Sequence, residues 1–159
     1  MKFKNISLVG LFCALLAIGA YITVPAPIPF TMQTFILFLM PFVIGIKSSV
    51  TAVVIYLSVG FLGLPVFSGF HGGVSVLFGA GGGYLLAFVF IPVMMGVFKN
   101  KVFGAVLGLL GVYTFGTLWF LFVYGEKSVA VAVTACVLPF VLPDLLKLYL
   151  AYKISKKIP

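Results

Sequence analysis

Residues 48–98 read SSVTAVVIYLSVGFLGLPVFSGFHGGVSVLFGAGGGYLLAFVFIPVMMGVF, without one aspartate, glutamate, lysine or arginine. About 20 apolar residues in helical form cross the hydrocarbon core of a bilayer. This stretch is far longer, so it holds more than one span. Its middle, Pro65–Gly83, is apolar but carries Gly69, Gly72, Gly73, Gly79, Gly81, Gly82 and Gly83. So much glycine disfavours a regular helix. The stretch therefore reads as a helix, an irregular glycine-rich loop, and a second helix. Lys47 closes it on one side, and Lys99 and Lys101 on the other.

The rest of the chain repeats the pattern. Of 159 residues, 64% are hydrophobic and 8% charged, against about 25% charged in an ordinary soluble domain. A soluble domain of this size leaves too much surface exposed to hide that much apolar area, so lipid is the expected solvent. Working outward from the opening stretch (helices at about 48–64 and 84–98), the apolar runs predict further helices at about 6–24, 30–46, 102–124 and 143–157. Residues 1–159 thus form a single integral membrane domain of six helices. Pro25, Pro27 and Pro29 break the first run from the second. The last helix is expected to begin at Pro143, since proline suits the first helical position. Ser128–Leu142 is then a short helix or loop packed on the outer surface. The N-terminus has the charge and apolar run of a signal peptide but no small-residue cleavage pattern after it, and is read as the first membrane helix.

The formal charge of +8 comes from lysines at the ends of apolar runs. That distribution points away from nucleic acid, which calls for a clustered basic patch, and towards membrane topology. Lys2 and Lys4 precede the first helix. Lys47, then Lys99 and Lys101, then Lys153, Lys156 and Lys157 follow the second, fourth and sixth. Glu126 and Lys127 cancel after the fifth. Positive charge accumulates on the cytoplasmic side, so both termini are expected in the cytoplasm of a multi-pass protein of the cell membrane, with the charge-poor loops outside.

Few residues are available for chemistry. Glu126 flanks a helix end and is expected to be solvated. Asp144 lies in an apolar stretch with Lys147 three residues later, a spacing that shares a helical face. Ionisable groups within a membrane are costly and mark functional sites. The pair either neutralises itself or faces a cavity and binds a polar solute. Phe67, Phe70 and Tyr84 flank the glycines and are candidates for an apolar wall. Gly72, Gly73, Gly82 and Gly83 would let backbone approach a ligand closely, or simply pack tightly. Gln33, beside Thr31 at the start of the second helix, either bonds a neighbouring helix or faces the solute. Gly10 with Ala14, Cys13 with Ala17, and Gly104 with Gly108 form small-xxx-small pairs suited to close helix contact.

His71 stands alone, and Cys13 and Cys136 have no metal or redox spacing, so no metal is assigned. There is no G-x-x-x-x-G-K-[ST] phosphate loop, no H-E-x-x-H and no G-x-S-x-G. The chain is expected to be neither an ATPase nor an enzyme and to need no cofactor.

Four segments carry a resemblance. They are Pro29-Phe30-Thr31-Met32-Gln33-Thr34; Gly63-Leu64-Pro65-Val66-Phe67-Ser68-Gly69-Phe70 with Gly72-Gly73; Gly82-Gly83-Tyr84-Leu85; and Leu138-Pro139 with Pro143-Asp144-Leu145-Leu146-Lys147. In this order the chain resembles the biotin-specific substrate-binding (S) subunits, BioY, of energy-coupling factor transporters. It departs from that pattern at Gly79-Ala80-Gly81, where the family often has Gly-Pro-Thr, and in lacking a glycine between Pro143 and Asp144. The resemblance implies a six-helix S subunit with an outward-facing pocket for biotin. It also implies a transmembrane coupling protein and a pair of cytoplasmic ATPases as partners. The small face of the first helix (Gly10, Cys13, Ala14, Ala17) would touch the coupling protein. Read without the resemblance, the residues also allow an S subunit for another vitamin, or a small homo-oligomeric channel packed through Gly104 and Gly108.

Overall fold

A computed structural model describes residues 3–25, 28–125 and 128–158, and side chains from residue 6 onward. Lys2, Glu126 and Lys127, used above for the charge pattern, lie outside the described residues. The chain is an all-helical bundle with one small hairpin. Helix α1 (Phe3–Tyr21) leads into strands β1 (Thr23–Val24) and β2 (Phe30–Thr31). These pair antiparallel, Thr23 opposite Thr31 and Val24 opposite Phe30. Then follow α2 (Gln33–Val43), α3 (Ile46–Phe61), α4 (Val74–Leu77), α5 (Gly82–Ala87), α6 (Phe90–Val97), α7 (Lys101–Tyr124), α8 (Val129–Cys136) and α9 (Leu138–Ser155).

The prolines explain where this differs from the expected boundaries. The fourth span is not one rod from Tyr84 but two pieces, α5 and α6. Pro92 has no N–H to give Phe88, and its ring crowds the Phe88 carbonyl. That carbonyl accepts from Ile91 instead, at 3.3 Å, and the helix breaks at Phe88–Val89. The last helix starts at Leu138, five residues before Pro143. Pro139, not Pro143, takes the early helical position, where a missing N–H costs little. Pro143 lies inside α9 and Asp144 falls in its second turn. Ser128–Leu142 is accordingly helical, α8 followed by the first turn of α9.

Among the described residues, two helical segments, Lys101–Tyr124 and Val129–Ser155, are long and apolar enough to cross a membrane by themselves. Helix α2 has only 11 residues, about 16 Å of rise against a hydrocarbon core of about 30 Å. The hairpin and the glycine-rich loop make up the remaining depth at one end of the bundle. Irregular backbone is tolerated there only where protein or a cavity satisfies it. The exposed surface supports a lipid setting. Leu118, Phe122, Leu142 and Leu146 are 58–86% exposed, a density of large apolar side chains that water would not tolerate.

The small-residue pairs have distinct fates. Gly104 and Gly108 face inward: a Cβ on Gly104 would lie 2.8 Å from the Cα of Met95, and one on Gly108 would lie 2.6 Å from that of Ile91. Glycine is what lets α7 press against α6, so this face is spent within the chain and is not free for the homo-oligomer contact that the alternative reading needs. On α1, Cys13 Sγ donates to the carbonyl of Ala52 in α3 at 3.2 Å, and Ala17 packs against the core. Only Gly10 and Ala14 remain exposed.

Candidate functional site

The loop-rich end of the bundle encloses a cavity of about 230 Å³. Its polar wall comes from α2, α7 and α9. Asp144 and Lys147 are 3% and 6% exposed, and one helical turn sets Lys147 Nζ 2.8 Å from Asp144 Oδ1. Thr34 donates its hydroxyl to the same Oδ1 at 2.8 Å. Tyr113 donates to Oδ2 at 2.7 Å. Lys147 also donates to Thr34 Oγ1 at 2.9 Å and to the carbonyl of Thr31 at 2.7 Å. Its ammonium lies 3.8 Å from the centroid of the Phe30 ring, close enough for a cation–π attraction.

The donor and acceptor inventory is informative. An ammonium has three N–H groups, and Thr31, Thr34 and Asp144 take all three. A carboxylate has about four lone-pair sites. Thr34 and Lys147 share Oδ1, and Tyr113 occupies one site on Oδ2. By this count one acceptor position on Asp144 Oδ2 is unfilled. Among the described residues, no buried side-chain nitrogen or oxygen lacks a partner.

A second polar chain holds the glycine-rich loop over the cavity. Gln33 Nε2 donates to the Tyr56 hydroxyl at 2.6 Å. Tyr56 donates onward to the carbonyl of Val66 at 2.9 Å. Thr31 Oγ1 donates to Gln33 Oε1 at 3.1 Å. The neighbouring Phe67 is 1% exposed and meets Tyr56 edge-to-face, centroids 5.5 Å apart. Gly60 makes room for it: a Cβ there would overlap the Phe67 ring. Further out, Ser68 donates to the Thr23 hydroxyl at 3.1 Å, and Tyr21 donates to the Pro65 carbonyl at 2.5 Å. These bonds tie the glycine-rich loop to the end of α1 and to the hairpin.

Aromatic rings form the apolar walls. Phe30 stacks on Phe140, centroids 5.9 Å apart, and Phe67 and Phe88 also line the space. Tyr84 lines it too and shares a hydrogen bond of 2.8 Å with Thr117.

Of the residues expected at a site, the structure brings Asp144, Lys147, Gln33, Tyr84 and Phe67 together around this cavity. It places the others elsewhere. Phe70 is 67% exposed and stacks on Tyr21 at 4.2 Å. Gly73 has φ +95°, a backbone turn that favours glycine, and its N–H donates to Gly60 at 2.7 Å. Gly72 and Gly82 abut the backbone of Leu64 and Leu77, and Gly83 the Trp119 side chain. These four glycines serve close packing and turns, and the glycine that does line the cavity is Gly81. His71 is exposed and donates to the Ser68 carbonyl at 3.0 Å. Among the described residues no group of His, Cys, Asp or Glu side chains is arranged to hold a metal.

Sequence reasoning missed Tyr113, Thr34 and Tyr56. A signal for the first was present: Tyr113 and Thr117 are hydroxyls four apart in the apolar α7, hence on one face.

Comparison with known proteins gives a consistent result. The profile of the BioY family matches residues 1–159. A protein of Pyrococcus horikoshii named "Probable biotin transporter BioY" is 38% identical, the match covering 99% of this chain and 98% of that one. The "Biotin transporter BioY" of Thermotoga maritima is 36% identical over 94% of this chain and 92% of its own length. Among solved structures, an S-component for biotin from an ECF-type ABC transporter superposes with a TM-score of 0.87. That match covers 98% of this chain and 90% of the other, at 23% identity. The fold is therefore that of an S-component.

Proposed function

The chain belongs to the BioY family, and from that premise we propose that it is the biotin-binding subunit of a vitamin importer. It captures biotin in the cavity and delivers it across the membrane with an ATP-driven energy-coupling module. It is a transport protein, not an enzyme. The observation that carries this reading is the composition of the cavity: one buried charge pair with a few hydroxyl and amide neighbours, facing walls of aromatic and aliphatic side chains. Biotin has the complementary build, a polar ureido ring fused to an apolar thiophane with an alkyl chain and a carboxylate. The relatives' names supply the vitamin, and the cavity supplies the chemistry.

Within that reading, Asp144 accepts a ureido N–H. It is the member of the pair with an open position, whereas Lys147 has no proton left to give without releasing Thr31, Thr34 or Asp144. Lys147 therefore acts as the counter-charge that holds Asp144 in place, along with Thr34 and Tyr113. Phe30, Phe67, Phe88 and Phe140 contact the apolar middle. Tyr84 and Gln33 add polar edges, Gln33 mainly by fixing the loop through Tyr56.

The partner surface follows from the exposed small face of α1. Gly10 and Ala14 offer a flat strip where another helix can approach closely. A transmembrane coupling protein, itself bound to a pair of cytoplasmic ATPases, is the proposed occupant. The lysines at the starts and ends of helices (Lys47, Lys99, Lys101, Lys153, Lys156 and Lys157) would lie in the cytoplasm of a cell-membrane protein, with the cavity opening outside.

The test is release of bound ligand from purified protein, followed by titration with free vitamins. Stoichiometric biotin is the expected result. Another vitamin in its place would overturn the substrate. Recovery from native membranes without any ATPase would overturn the partner assignment.

A further inference from the structure

A second concavity lies at the end of the bundle remote from the biotin cavity. It is an open groove of about 610 Å³ between α2, α7 and α9. Its floor is apolar, with Phe42, Val106, Leu145 and Leu148, and its rim carries Lys99, Asn100 and Lys101. Tyr149 and Tyr152 complete the wall. Two more ammonium groups rest on those rings, Lys153 Nζ 4.9 Å from the Tyr149 centroid and Lys156 Nζ 4.5 Å from that of Tyr152. Lys101 Nζ sits 5.6 Å from the centroid of Phe42. Two lysines thus line the groove, and two more cap the tyrosine rings of its wall.

Among the described residues no carboxylate side chain pairs with them. The sequence has two acids. Asp144 is paired with Lys147 in the other cavity. The described residues supply no counter-charge for the groove. A free anion would satisfy the rim but leave the apolar floor bare. We infer that the groove binds an anionic phospholipid, its phosphate at Lys99 and Lys101 and the start of an acyl chain on Phe42, Val106 and Leu148, with Lys153 and Lys156 adding positive charge beside the tyrosine wall. Basic pockets between membrane helices suit such head groups. The tyrosines fit the same setting, with apolar rings and polar tips at the interface.

The inference rests on the membrane reading but not on the vitamin. The test is native mass spectrometry of the full chain released from nanodiscs of equal phosphatidylglycerol and phosphatidylcholine, with biotin binding measured in parallel. The wild type should retain phosphatidylglycerol selectively. Lys99→Gln with Lys101→Gln should lower that retention on the order of 30-fold, from the attraction of two lysines near an anionic head group, with biotin binding unchanged. Lys47→Gln, an end lysine off the groove, should change nothing. Equal retention of both lipids, or an equal loss in Lys47→Gln, would overturn the site and leave only generic surface charge. Displacement of the lipid by inorganic phosphate would mark a free-anion site instead. A double variant that keeps its lipid but no longer assembles with the coupling module would assign the groove to a protein. A chain that fails to enter nanodiscs would sink the membrane reading itself, and the lipid site with it.

Discussion

Replacing Asp144 by asparagine keeps the size of the side chain and removes its charge. The carboxylate is 3% exposed and accepts from Lys147 at 2.8 Å, Thr34 at 2.8 Å and Tyr113 at 2.7 Å. An amide has one oxygen. Turned towards Lys147 and Thr34, it points its NH2 at Tyr113, whose hydroxyl can rotate to accept. The open position on Oδ2, proposed for a ureido N–H, then becomes a donor facing a donor. The ligand loses a hydrogen bond to a charged acceptor, about 1.5–3 kcal/mol, and gains a repulsion. Disrupting a buried charged hydrogen bond at a binding interface costs about 2–5 kcal/mol, so the dissociation constant should rise about 30-fold or more.

Lys147 would also be left with a buried charge lacking its counter-ion, a loss to the fold of about 3–5 kcal/mol. The two losses are read separately. Thermal unfolding without biotin reports the loss to the fold, and equilibrium binding well below the unfolding temperature reports the loss to the ligand. A variant that unfolds earlier yet binds biotin as tightly as the wild type would refute the ligand contact and leave the pair purely structural.

Four further outcomes follow from the same geometry. Tyr113→Phe removes one donor to Asp144 and keeps the ring, so biotin affinity should fall about tenfold with the protein still folded; isothermal titration checks this, and no change would remove Tyr113 from the site. Gly60→Ala forces the Phe67 ring towards the cavity, an overpacking of about 1–3 kcal/mol, and should weaken biotin binding in the same titration. Gly108→Leu should separate α7 from α6 and lower the unfolding temperature of the isolated chain; an effect on oligomeric state alone would contradict the inward placement of this face. Ala14→Trp should abolish uptake into cells while leaving biotin binding of the purified chain intact, and normal uptake would exclude that face as the docking surface.

Legibility from sequence followed the range of each interaction. Asp144 and Lys147 were readable because three residues on one helix fix their neighbourhood before any tertiary packing. Tyr113 and Thr34, their partners, lie 31 and 110 residues from Asp144, and only the docking of α7 and α2 onto α9 brings them there. The glycines were visible as a break in helical propensity, but propensity cannot say what occupies the space a missing Cβ leaves. At Gly60 it is an aromatic ring that walls the cavity, and at Gly82 it is neighbouring backbone. The apolar runs gave six spans, whereas the described residues form nine α-helical segments, because prolines and glycines divide some of the runs. The break at Phe88–Val89 depended on a specific steric rule at Pro92, and the early start of α9 on which of two prolines took the first turn.

That early start decides how the site works. Had α9 begun at Pro143, Asp144 would stand at a helix end, able to shed its charge to water and to move with the loops. In its second turn, 3% exposed, the carboxylate is fixed by α9 itself, by α7 through Tyr113 and by α2 through Thr34. Lys147 then reaches past it to the Thr31 carbonyl on β2. The charge pair therefore joins three helices to the hairpin that borders the cavity, with Phe30 on that strand packed against the ammonium. A solute that takes the open position on Asp144 meets an acceptor already held by three donors, so little ordering remains to be done on binding, the condition under which a small cavity binds tightly. The same bonds make the hairpin sensitive to the pair: loss of Lys147 removes the Thr31 contact as well as the counter-charge. Lys147→Ala should accordingly increase proteolysis in the segment between β1 and β2 and weaken biotin binding together. A variant that weakened binding with the hairpin equally protected would separate the two roles and show that the counter-charge alone matters.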